Sequence, residues 1–160
     1  MRKIRRNFIS LILAALIGLT FSRPSLAAPN PPGDDVYEYE VPAGALCSFA
    51  LHISVDGQKK TIELPGDRTT EIYPGEFVTL TNLDDPSKQV TENITGSFHI
   101  KYLPDGSTET VFTGRNLVWD PFAGFVFVFG HFGYAIDANG NLTQPLHGTG
   151  KIVDACALIS

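Results

Sequence analysis

The sequence predicts an all-β fold: a single antiparallel β-barrel or barrel-like sandwich of about nine to eleven short strands, closed by a short C-terminal helical turn. Three observations carry this. Apolar residues recur with period two, as in "CSFALHISV", where Cys47, Phe49, Leu51, Ile53 and Val55 alternate with Ser48, Ala50, His52 and Ser54. That is the pattern of a strand with one buried and one wet face. Turn words punctuate the chain at short intervals: "VDGQ", "LPGD", "YPGE", "LDDPSK", "LPDGS" and "DANGN". Asp-Gly and Asn-Gly supply the positive φ that tight hairpins need. No amphipathic stretch of helical period interrupts the series.

Taken in order, the first 27 residues do not belong to the fold. "MRKIRR" is a basic start, "FISLILAALIGLTF" an apolar run of 14 residues, and Ser25 and Ala27 stand at the small-residue positions of a cleavage site. This is the pattern of a secretory signal peptide cut after Ala27, and its apolar run is shorter than the roughly 17–25 residues of a spanning helix. "RRNFI" also resembles a twin-arginine signal, which leaves the export route open. A segment rich in proline and acid, residues 28–44, reads as an extended arm. Residues 45–160 form the domain.

The whole chain carries 12 basic and 17 acidic residues. Residues 1–27 hold five of the bases and none of the acids, so the exported chain has a net charge near −10. Such a surface repels phosphate backbones and anionic headgroups, which argues against nucleic acid as a partner. Two cysteines in an exported chain, Cys47 and Cys156, read as one disulfide tying the first strand to the last turn. Closing so long a loop stabilises by roughly 4–5 kcal/mol on the chain-entropy model.

From Ala45 onward the candidate strands include "KKTIEL", "EFVTLTNL", "KQVTENI", "SFHIKYL", "STETVFTG", "NLVWD" and "GFVFVFG", all rich in Thr, Val, Ile and aromatics. The tail "DACALIS" is the one helical candidate, with Asp154 as its cap. The stretch Gly124–Ile136 is apolar on both faces but only 13 residues long, broken by glycines and His131. It is read as a strand covered on two sides, with no stable membrane span after signal removal. Seven of the chain's 17 aromatics fall within Trp119–Tyr134. They fit plain core, the lining of an apolar cavity, or a partner-binding patch. The candidate lining residues are Phe98, Ile100, Trp119, Phe125, Phe127 and Phe129.

The order of "TLTNL" (79–83), "PDGST" (104–108), "TGRN" (113–116), "YAIDANGN" (134–141) and "GKIVDACALIS" (150–160) resembles a family of small secreted uncharacterised proteins typical of actinobacteria, over roughly residues 45–160. The resemblance implies export and paired cysteines. It brings no established activity and no catalytic residue. Arg115 stands where that family usually has His.

No motif announces chemistry. His52, His99, His131 and His147 lack the close spacing of metal ligands, so no metal and no cofactor is expected. Ser97 in "ITGSFH" lacks the second glycine of a nucleophile elbow. "DANGN" alternates oxygen side chains but reads as a hairpin turn. Three functions stay open: a non-catalytic binding or carrier module for an apolar small molecule, a cell-envelope structural or protein-interaction domain, and a hydrolase without a recognisable motif.

Overall fold

The computed structural model describes residues 31–160. The expected signal peptide lies outside them. All of the described regular structure is antiparallel strand apart from one short 3-10 turn, Cys156–Leu158. Eleven strands form two sheets. The four-stranded sheet has the order β2 (Tyr37–Val41), β3 (Leu51–Asp56), β6 (Phe77–Asn82), β7 (Gln89–Asn93). The seven-stranded sheet runs β1 (Gly33–Asp34), β4 (Gln58–Leu64), β5 (Arg68–Tyr73), β8 (Gly96–Tyr102), β9 (Thr108–Asp120), β10 (Gly124–Ile136), β11 (Leu142–Asp154).

The barrel expectation is not met, because β1 and β11 remain the two edges of the large sheet and no closed barrel forms among the described residues. The meander holds from β8 to β11. Before that, the chain alternates between sheets, and Gly57 marks one crossing. It was expected in a hairpin turn, but β3 pairs with β2 and β6 while β4 pairs with β1 and β5. Gly57 is a bend that hands the chain from one sheet to the other. The described part of the acidic arm is extended, as expected, but it is also paired: Gly33–Asp34 joins β4 and Tyr37–Val41 joins β3.

The buried faces follow the alternation of the sequence. Leu51, Ile53 and Val55 of β3 and Val78 and Leu80 of β6 meet Phe125 and Phe127 of β10 between the sheets. The Cys47–Cys156 disulfide closes that core across a separation of 109 residues, beside Ala155 and Ile159. Asn82 reaches over it to donate to the Ile159 carbonyl. The Asp154 carboxylate accepts the amides of Cys156 and Ala157, which fixes the last turn.

Candidate functional site

The site begins with a row of glycines. Gly96, Gly114, Gly130 and Gly150 lie opposite one another on β8, β9, β10 and β11. Gly114 has φ +90°, and a Cβ on Gly130 would stand 2.3 Å from the Thr149 carbonyl oxygen. Only a residue without a side chain permits that approach. The row acts as a crease across the large sheet. On one side of it, Leu117, Phe125, Phe127, Phe129 and Val153 pack against the four-stranded sheet. On the other side, the strands turn back so that Val126 and Val128 face Phe112 and Phe132 within the angle.

That angle is held by two devices. Phe98, Phe112 and Phe132 form a cross-strand aromatic row, with ring centroids 5.3 and 6.3 Å apart. Asp120, at the end of β9, accepts the amides of Phe122 and Ala123 at 2.8 Å and the amide of Leu146 on β11 at 2.9 Å. Burial opposes ionisation of Asp120, but the three amide donors outweigh it and hold the carboxyl below its ordinary value. This carboxylate clips β11 to the β9–β10 turn across the mouth of the angle.

Between the clip and the aromatic row lies a cleft of about 610 Å³. Phe98, Val118, Trp119, Tyr134, Leu142 and Leu146 are among its walls, so its lining is chiefly apolar. It is open to solvent at the side where Trp119 is 58% exposed. A second groove of about 300 Å³ runs between the two sheets and is lined by Tyr37, Tyr39, Leu117, Trp119 and Phe125. Leu117 borders both spaces. Beyond Gly114, β9 pairs only with β10, because β8 begins at Gly96, and this unpaired edge carries Leu117.

Beside the cleft sits a polar group of side chains from β2, β4, β5 and the β5–β6 turn. The Lys59 ammonium pairs with Glu71 at 2.7 Å, and the Tyr73 hydroxyl donates to the same carboxylate at 2.7 Å. Burial raises the Glu71 carboxyl, but these two hydrogen bonds and the lysine charge prevail and hold it low. Burial, the Glu71 hydrogen bond and nearby acid charge all push the Tyr73 phenol up. Burial and the charges of Glu76 and Asp35 raise Tyr37 to about 12. Glu76 is raised to about 8, first by burial and then by the adjoining Asp35 carboxyl.

The sequence-derived candidates divide among these places. Phe98 and Trp119 line the cleft; Phe125 lines the inter-sheet groove; Phe127 and the half-buried Phe129 belong to the core between the sheets. Ile100 lies in a separate shallow cavity with Leu64, Arg68 and His99. Tyr134, the last of the aromatic run, and Leu146 complete the cleft walls; no motif pointed to Leu146, which lines it only because the crease swings its strand round. Glu76 was part of a turn word, "YPGE", with no signal that the fold would bury it.

The hydrolase reading can be tested on geometry. Ser97 Oγ lies 3.3 Å from His99 Nε2 and 2.9 Å from Thr113 Oγ1, and His99 Nδ1 lies 3.1 Å from Thr70 Oγ1. The group that orients the imidazole is thus a neutral hydroxyl, where a triad uses a carboxylate to stabilise the imidazolium. The Asp137 carboxylate accepts the amides of Asn139 and Asn141 and the Asn141 side chain, as the hairpin reading requires. Among the described residues no helix is long and apolar enough to cross a membrane. No family model, no curated protein and no solved structure matches the chain.

Proposed function

We propose that this protein is an exported, non-catalytic carrier that holds an apolar small molecule in the angle of its creased sheet. The observation that carries this reading is the cleft of about 610 Å³ with its chiefly apolar lining. Its size falls within the roughly 300–1,000 Å³ of small-molecule sites, which are concave and mainly hydrophobic with a few placed polar groups. The crease does for an open sheet what closure does for a barrel, turning one face into a sheltered wall. Export fits the disulfide, which belongs to an oxidising compartment.

Native mass spectrometry of protein purified from its own source tests the reading. An added mass that departs on denaturation supports it. In parallel, Leu146→Trp should fill the cleft and abolish uptake of a hydrophobic fluorescent probe. Unchanged uptake by that variant would move the probe, and the reading, elsewhere.

A second reading, a cell-envelope interaction domain, is favoured by the β9–β10 turn. There Phe122 is 82% exposed beside Trp119, an unusual pairing for a free surface. Phe122→Ser should leave probe uptake intact and abolish recovery of an envelope partner after cross-linking, if that reading holds.

A further inference from the structure

The large cleft adjoins a cavity of a different kind, of about 150 Å³, lined by Tyr37, Tyr73, Glu76, Asn116, Ile94, Phe98 and Leu117. Phe98 and Leu117 border both spaces. Glu76 is only 4% exposed, a burial that glutamate seldom has without a cationic partner. The nearest lysine, Lys59, is committed to Glu71, with its ammonium 5.4 Å from the centre of the Tyr73 ring. No N–H or hydroxyl among the described residues donates to the Glu76 carboxyl. The Asp35 carboxyl adjoins it and opposes its ionisation. Gly57 is part of the arrangement: a Cβ there would lie 2.6 Å from Glu76 Cα, so the bare backbone at the sheet crossing lets the acid sit inward.

A buried acid that faces a cavity, lacks a protein donor and is ringed by aromatic faces lacks its complement. We infer that this cavity receives the ammonium head of an amphipathic ligand whose tail lies in the large cleft, an inference that rests on the carrier reading above. Glu76 and Asp35 supply opposite charge. The rings of Tyr37, Tyr73 and Phe98 suit a methylated ammonium, which has few or no N–H groups to offer and binds well against aromatic faces. The volume equals that of about five water molecules, room for a compact tetrahedral head and not for a sugar. The acidic surface of the exported chain steers cations toward it. The same groups repel a carboxylate or phosphate head, so the site discriminates as well as attracts. Entry of the cation displaces the proton that Glu76 holds, which leaves to solvent.

The test uses three probes with the same tail, decyltrimethylammonium, decanol and decanoate, titrated calorimetrically into the disulfide-closed protein below micelle-forming concentration. The cation should bind at least about ten-fold more tightly than decanol, and decanoate most weakly. Between about pH 6 and about pH 9 the affinity for the permanently charged probe should rise more than ten-fold as Glu76 loses its proton. Across that range Glu71, held low, stays ionised, while Tyr37 and Tyr73, held high, stay neutral. Asp35 adjoins Glu76 and the Lys59 ammonium stands near the Tyr73 ring, and Glu76→Gln separates their influence from that of Glu76. In that variant the cation should lose its advantage and its pH dependence, with decanol binding unchanged as the control for folding. If Glu76→Gln does not fold, Asp35→Asn is used instead: it removes the carboxyl that opposes ionisation of Glu76, so the rise in cation affinity should move to lower pH. Decanol binding without preference for the cation, a preference that survives Glu76→Gln, or a pH profile that Asp35→Asn leaves unshifted, overturns the ammonium site and leaves the carrier reading standing. Failure of all three probes overturns both.

Discussion

Replacing Glu76 with Gln should stabilise the protein, and by an amount that grows with pH. In the folded protein the carboxyl titrates at about 8 against an ordinary value of 4.5. Below 4.5 both folded and unfolded chains hold the proton, and Glu76 contributes no pH dependence. Between the two values the unfolded chain releases the proton and the folded chain keeps it, so folding is opposed more strongly at each step upward. Above about 8 the penalty is constant. The shift of about 3.5 corresponds to a ceiling of ~5 kcal/mol at ~1.36 kcal/mol for each tenfold step. The carboxyl borders a solvent-reachable cavity, and screening there reduces the expected effect to about 2–3 kcal/mol. Urea unfolding followed by circular dichroism, at intervals from about pH 4.5 to about pH 8.5, should show wild-type stability falling relative to the variant across that window. Every other side chain is common to both proteins, so the difference isolates Glu76. Parallel stability curves for the two proteins would refute the assignment of a buried, proton-holding carboxyl.

Other consequences are more local. Cys156→Ser, measured by thermal unfolding, should cost about 4–5 kcal/mol, because it reopens a loop of 109 residues in the unfolded chain. Gly130→Ala drives a Cβ into the Thr149 carbonyl and should cost at least ~2 kcal/mol, whereas Gly140→Ala, in an open turn at φ +84°, should cost about 1 kcal/mol. Equal costs by chemical denaturation would remove the crease from the account. Phe112→Ala deletes the fully buried middle ring of the aromatic row and should cost about 3–5 kcal/mol, with loss of probe uptake as the angle relaxes. Asp120→Asn leaves three amides with a weaker, uncharged acceptor and should cost about 1–3 kcal/mol near neutral pH. That stabilisation belongs to the ionised carboxylate, so the gap should close as acid protonates Asp120 in the wild type.

Much of the local structure was legible in the chain itself. The strand Gly124–Ile136 occupies the residues that its apolar run delimits, and its two faces are both covered because both are apolar. The alternation in "CSFALHISV" correctly separates Leu51, Ile53 and Val55 from the wetter positions between them. The Asn-Gly turn at 139–140 and the cap from Asp154 also follow from local hydrogen-bonding chemistry. These features are decided within a few residues, so the sequence displays them directly. The disulfide is a long-range pairing, but with two cysteines it has a single solution.

The candidate site was not legible in that way. Period two says that Phe125, Phe127 and Phe129 share a face. It does not say that this face meets the second sheet while Val126 and Val128 look into the angle. That partition depends on which strands pair, and Gly57 shows how a turn word becomes a sheet crossing when its two flanking strands find different partners. The four glycines of the crease lie far apart in sequence and come into line only once the register of four strands is set. Likewise, nothing local distinguishes Glu76 from a solvated turn residue; its burial arises from the bare Gly57 backbone packed over it and from Asp35, some forty residues away. Secondary structure and disulfide were written in the sequence because short-range patterns or a single possible pairing determine them. The cleft and its acid were decided by tertiary structure, because a cavity is the space left between strands that only pairing and register bring together.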